Sequence, residues 1–206
     1  QVKGSIKIEN ANGIPVGVPD EVMVTTGGIH AIYLVCQALL EPGDEVILPD
    51  PTWPPCAGNI LAARATPVSC PLHQELDWRF DLAELESCIT PATRAIYINS
   101  PHNPTGGVFT RADLERIAAI VKERGLWLIS DEAYEDVIFD DARHVSPASL
   151  PDMYERTVSI YTFSKTYAMT GLRLGYLATP DATPRGRINK VMFYTCSTVT
   201  SLVQFG

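Results

Sequence analysis

The chain has no excess of positive charge. Sixteen lysines and arginines stand against 24 aspartates and glutamates, a net charge of −8. That balance excludes a broad nucleic-acid surface and an anionic membrane as partner. It has no run of eighteen apolar residues, so no membrane-spanning helix is expected. The opening QVKGSIKIEN lacks both the apolar core of a signal peptide and an initiator methionine, so the chain reads as a partial one. Paired cysteine motifs are missing. The five cysteines (Cys36, Cys56, Cys70, Cys88 and Cys196) are odd in number, scattered and without a CxxC. They read as small apolar filler with reduced thiols, in a cytoplasmic protein. The four histidines are equally scattered, and no metal site is expected from them. Repeats, low-complexity tracts and Gly/Ser linkers are absent too. With 46% hydrophobic residues, positions 1–206 suit one domain with a real core.

What is present alternates. Apolar runs at 21–26, 44–50, 65–71, 94–100, 126–133, 157–164 and 175–180 read as seven strands. Helical patterns at 27–40, around 56–64, at 81–89 and at 110–125 fall between them. Asp81 and Thr110 are placed to cap two of these helices, and Gly125 to stop one. Near-continuous apolar strands separated by helices predict an α/β fold: a three-layer α/β/α domain around a mostly parallel sheet.

Ligands of open α/β sheets bind beyond the carboxyl ends of the strands. The residues following each strand therefore matter most. They are Gly27-Gly28 after the first, Trp53 after DEVILPD and Asn103 after RAIYINS. Asp131, Glu132 and Tyr134 follow LWLIS, and Ser164-Lys165, then Arg173, follow TVSIYTF. A Gly-Gly helix start offers backbone amides to a phosphate. Ser164 can donate to the same group, and Arg173 can clamp it bidentately. Trp53 offers a face for a ring. A carboxylate at a buried strand end can hold a proton on a ring nitrogen, and Asn103 and Tyr134 can share a phenolic oxygen. Burial and neighbouring cations would keep Lys165 partly unprotonated and nucleophilic. A phosphate, a ring, a ring nitrogen, a ring oxygen and an amine seeking an aldehyde together describe pyridoxal phosphate.

Each feature has an ordinary alternative. The glycine pair could be a tight turn, Trp53 a loop anchor beside prolines and NPTG a turn. Arg173 could pair with any surface carboxylate. Their convergence on one sheet edge is what favours a site. Asp131 and Glu132 compete for one role, because side chains alternate along a strand and only one can face the ligand.

SPHNPTGG, SDEAY and TFSKTYAMTGLRLGY, in that order, resemble the motifs of the class I/II aminotransferases, the fold-type-I pyridoxal-phosphate enzymes. The resemblance runs from about Val22 to the end. It implies that Lys165 forms the Schiff base with the cofactor and then moves the substrate proton. Asp131, rather than Glu132, would pair with the ring nitrogen. Tyr134 and Asn103 would bind the ring oxygen, and Trp53 would stack on the ring. Ser164 and Arg173 would hold the phosphate with the amides near Gly27, Gly28 and Ile29. Trp53 and Asn103 would also meet the substrate. The implied activity is ping-pong transfer of an amino group from an L-amino acid to a 2-oxo acid, in a homodimer. The alternatives are a C–S lyase, an aminocyclopropane-carboxylate-synthase-like enzyme, or a cofactor-sensing regulatory domain. The resemblance also implies a cis Asn103–Pro104 bond. Thr198 would reach the partner subunit's phosphate. The family's N-terminal arm and small C-terminal domain, with its arginine for the substrate carboxylate, have no counterpart here. Thr162 stands where the family usually has Gly or Ser. Apolar surface meant for the missing partners is expected to be exposed.

Overall fold

The alternation read from the sequence closes into one mixed sheet. The computed structural model describes residues 2–17 and 19–204. Its strands are β1 (Val22–Thr25), β2 (Glu45–Asp50), β3 (Thr66–His73), β4 (Arg79–Phe80), β5 (Thr93–Asn99), β6 (Trp127–Asp131), β7 (Thr157–Thr162) and β8 (Gly175–Ala178). They lie in the order β1-β8-β7-β6-β5-β2-β3-β4. The five central strands, β7 to β3 in that order, are parallel. Strands β1, β8 and β4 run antiparallel to their neighbours. The helices are α1 (Val2–Asn12), α2 (Gly27–Leu39), α3 (Pro55–Ala62), α4 (Leu82–Ser87), α5 (Arg111–Arg124) and α6 (Ala182–Thr195).

The central strands β5, β6 and β7 are mostly buried because both faces are covered. Alternate residues divide between two cores. Ala95, Tyr97, Ile129, Val158 and Ile160 pack with α2, α3 and α6. Ile96, Ile98 and Leu128 pack with α4 and α5 on the other face. Helix α5 begins with a full capping box between Thr110 and Asp113, and ends at Gly125 with φ 65°. Asp81 caps α4 through the amides of Ala83 and Glu84.

Three elements differ from expectation. The sheet has eight strands rather than seven. The extra one, β4, is two residues long, too short to show alternation, and it follows two left-handed residues, Asp77 and Trp78. Helices α1 and α6 were also not foreseen. In α6 only Pro184 and Ile188 are buried, so no apolar stripe marks it. Cys36, Cys56 and Cys70 are buried, and all five cysteines are free thiols. Among the described residues no helix is long and apolar enough to cross a membrane. Phe193, Tyr194 and Leu202 are exposed at 63%, 77% and 84%.

Candidate active site

The carboxyl ends of β5, β6 and β7 and the start of α2 enclose one open pocket. Its wall includes Gly28, Ile29, Trp53, Asn103, Asp131, Tyr134, Ser164, Lys165 and Arg173. These are residues singled out in the sequence; Gly27, Glu132 and Thr198 are not in the wall.

Asp131 ends β6 and is buried. Its Oδ2 accepts from the Tyr97 hydroxyl at 2.7 Å, and its Oδ1 from the Ala133 amide at 3.1 Å. Burial pushes this carboxyl above its ordinary pKa, while the Tyr97 and Ala133 hydrogen bonds pull it back. Glu132 turns the opposite way, as alternation requires. Its carboxylate accepts from Ser146 Oγ at 2.9 Å and lies 2.9 Å from His144 Nε2. Glu132 is therefore spoken for behind the sheet edge, and Asp131 alone faces the pocket.

The loop after β5 is held by side chains. Asn99 Nδ2 donates to the Asp131 carbonyl at 2.9 Å, and Asn99 Oδ1 accepts from the Asn103 amide at 2.7 Å. Asn103 Nδ2 then donates to the Tyr134 hydroxyl at 3.3 Å, so the two expected ring-oxygen partners sit side by side. The Asn103–Pro104 bond is cis, as are Asp50–Pro51 and Ser100–Pro101.

At the other end, α2 begins without a side-chain cap from Thr26, and Gly28 and Ile29 open onto the pocket. Uncapped first-turn amides and the positive end of the helix favour an anion. Arg173 sits at φ 52° after a short helical turn, its Nη1 donating to the Thr170 carbonyl at 2.9 Å. Gly27 serves differently from expectation. It is not part of the wall. A Cβ there would lie 2.5 Å from Arg173 Nη2, so glycine makes the room in which the guanidinium lies. Ser164 is oriented by Thr162, whose Oγ1 accepts from the Ser164 amide at 3.2 Å and donates to Ser164 Oγ at 3.0 Å.

Lys165 lies past the end of β7 with its Nζ 5.0 Å from the centre of the Tyr134 ring. It is exposed at the pocket mouth, not buried as the sequence reading expected. The reason is local: the turn that carries it, residues 164–170, lies beyond the last sheet hydrogen bonds, and none of the described residues covers it. Among the described residues, neither Lys165 nor Arg173 has a carboxylate within 4.0 Å. Trp53 is half-buried and rests against the core under α2. Thr198 is exposed beyond α6 and outside this pocket.

Sequence reading missed Tyr97, Asn99, Thr162 and Thr170 as parts of the site. Tyr97 and Asn99 carried a usable signal. They are polar groups two apart in a strand that is otherwise apolar from Ala95 on, and the register pairs Asn99 with Asp131. The donor set suits an anion at the α2 end, a protonated ring nitrogen at Asp131, an oxygen acceptor at Asn103 and Tyr134, and an electrophilic carbon at Lys165.

The sequence pattern of the family described as aminotransferase class I and II matches residues 6–204. Aromatic-amino-acid aminotransferase 2 of Thermococcus litoralis is 41% identical over 85% of this chain and 45% of its own length. The aspartate aminotransferase of Pyrococcus abyssi is 42% identical over the same shares. A crystal structure of an aromatic aminotransferase from Pyrococcus horikoshii superposes with a TM-score of 0.94 at 42% identity, covering 97% of this chain and 53% of that one. The chain thus spans about half the length of the curated relatives it matches.

Proposed function

This chain belongs to the class I and II aminotransferase family, and from that premise we propose that it is the large cofactor-holding domain of a pyridoxal-phosphate-dependent aminotransferase. The donor set of the pocket supports this reading. Arg173, Ser164 and the amides of Gly28 and Ile29 would hold the phosphate. Asp131 would hold the ring nitrogen, Asn103 and Tyr134 the ring oxygen, and Trp53 the ring face. Gly27 is the cradle without which Arg173 could not lie against α2.

Bound there, pyridoxal phosphate supplies an aldehyde carbon to which amines attach and a protonated ring that draws electrons from the substrate's Cα–H bond. The chain's own part is placement and proton transfer. Lys165 Nζ would hold the cofactor between turnovers and would move the proton off the substrate Cα. The Asp131 carboxylate would keep the proton on the ring nitrogen, and the Asn103–Tyr134 pair would steady the ring oxygen. An L-amino acid would give up its amino group and leave as a 2-oxo acid, and a second 2-oxo acid would take the group away. Thr198, on the exposed surface beyond α6, would reach the phosphate of a partner subunit, and the full-length enzyme would sediment as a homodimer.

The observation that carries the reading is a buried carboxylate, Asp131, facing the same pocket as an amine and a guanidinium that have no acidic partner among the described residues. In the full-length protein, Lys165→Ala is expected to lower multiple-turnover transamination by at least about a hundredfold and leave the fold intact, since the side chain is exposed. Steady turnover at the wild-type rate in that variant would sink the assignment.

A further inference from the structure

Asp131 depends on a residue that no motif contains. Tyr97 lies in the middle of β5 and is 3% exposed, among apolar neighbours that include Cys56. Its hydroxyl donates to Asp131 Oδ2 at 2.7 Å. The Ala133 amide takes Oδ1, so each carboxylate oxygen has a donor from this chain. A tyrosine in a strand core needs a partner for its hydroxyl, and a carboxylate needs donors when it is buried. Here each meets the other's need. We propose that Tyr97 is the positioning residue for Asp131: its hydroxyl fixes the carboxylate's orientation toward the pocket and keeps it ionised against the pull of burial. This rests on the cofactor reading given above.

The groups facing Asp131 leave this task to Tyr97. From α3, Cys56 is a buried thiol whose pKa is pushed up to about 12 by burial, so it stays neutral. Glu132, the residue after β6, opposes ionisation by its charge, and Lys165, beyond β7, favours it. Lys165 is exposed, so its charge is screened by water. Among the described residues, Tyr97 is the one side chain that donates a hydrogen bond to the carboxylate, and its own pKa is raised by burial, so it remains a donor across the working range. A donor bond to a charged group typically contributes enough to shift a titration by about one to two pH units.

The test is Tyr97→Phe in the full-length protein, which keeps the ring and removes only the hydroxyl. Two readouts besides activity decide it. The dissociation constant of pyridoxal phosphate should rise by about ten- to a hundredfold. The midpoint of the bound chromophore's visible-absorbance titration should move up by about one pH unit, since a less ionised Asp131 leaves the ring nitrogen less protonated. Tyr97→Met, which also lacks the donor, should give the same two shifts if the phenylalanine variant does not fold. Wild-type affinity together with a wild-type midpoint in a folded variant would overturn the proposal and reduce Tyr97 to packing. Borohydride reduction followed by peptide mapping separates this outcome from failure of the cofactor reading. Label on Lys165 in both wild type and variant leaves that reading standing whatever Tyr97 does. No label in the wild type overturns both.

Discussion

A single carboxylate shows how function works against stability here. Asp131 is buried and its pKa is raised, so between the ordinary carboxylate range and the raised value the folded chain holds more protons than the unfolded one. Stability of the cofactor-free protein therefore falls as pH rises through that window. Asp131→Asn removes the charge. The cofactor-free variant should resist urea better than wild type at neutral pH, and the advantage should vanish only well below the ordinary aspartate pKa of about 3.9, where both states of the wild type are protonated. The same variant should bind pyridoxal phosphate about tenfold or more weakly. Urea midpoints measured across pH, with and without cofactor, check both halves. At this scale the sequence was informative for residues whose role needs a particular chemical group at a strand end. Asp131, Asn103, Tyr134, Ser164 and Arg173 are of that kind. The choice between Asp131 and Glu132 needed the partners Ser146 and His144, which lie twelve to fourteen residues downstream. The exposure of Lys165 depends on what covers the pocket mouth, which no local pattern encodes.

Elements bring those residues together through backbone contact as much as through side chains. Gly175 opens β8 where the start of α2 crosses β7. A Cβ there would lie 2.8 Å from the Gly27 carbonyl carbon and the Tyr161 oxygen, and 2.9 Å from the Gly28 nitrogen. These are backbone atoms and cannot rotate aside. Gly175→Ala should cost about 1–3 kcal/mol of stability and push the amides of Gly28 and Ile29 out of line. Thermal unfolding and phosphate-competition binding would then change together, whereas loss of stability with unchanged affinity would show that α2 moves without consequence. Elements with a strong apolar period or a clear cap were legible, α5 above all, with Thr110 and Gly125 at its ends. Helix α6 was not, because it buries only two residues, and β4 was not, because two residues have no period. The resulting rule is physical: an element is readable when its own burial is patterned, and hidden when neighbours hold it in place.

The whole molecule is a parallel sheet that carries its chemistry at one edge and leaves that edge open. The central strands are arranged as their apolar runs implied, and antiparallel β8 and β1 close the side next to β7. Lys165 and Arg173 are exposed in this chain, and so are Phe193 and Tyr194 on α6. The full-length, dimeric enzyme proposed above would have to cover the pocket and these apolar rings. The most direct measurement is therefore made on that protein. It would be loaded with pyridoxal phosphate and titrated with a panel of L-amino acids, with visible absorbance and released 2-oxo acid followed together. The account expects at least one amino acid to bleach the visible band in step with release of its 2-oxo acid, and a different 2-oxo acid to restore the band. Release of an oxo acid while the band persists would point to a lyase instead. A full-length protein that forms no band at all would contradict the central claim.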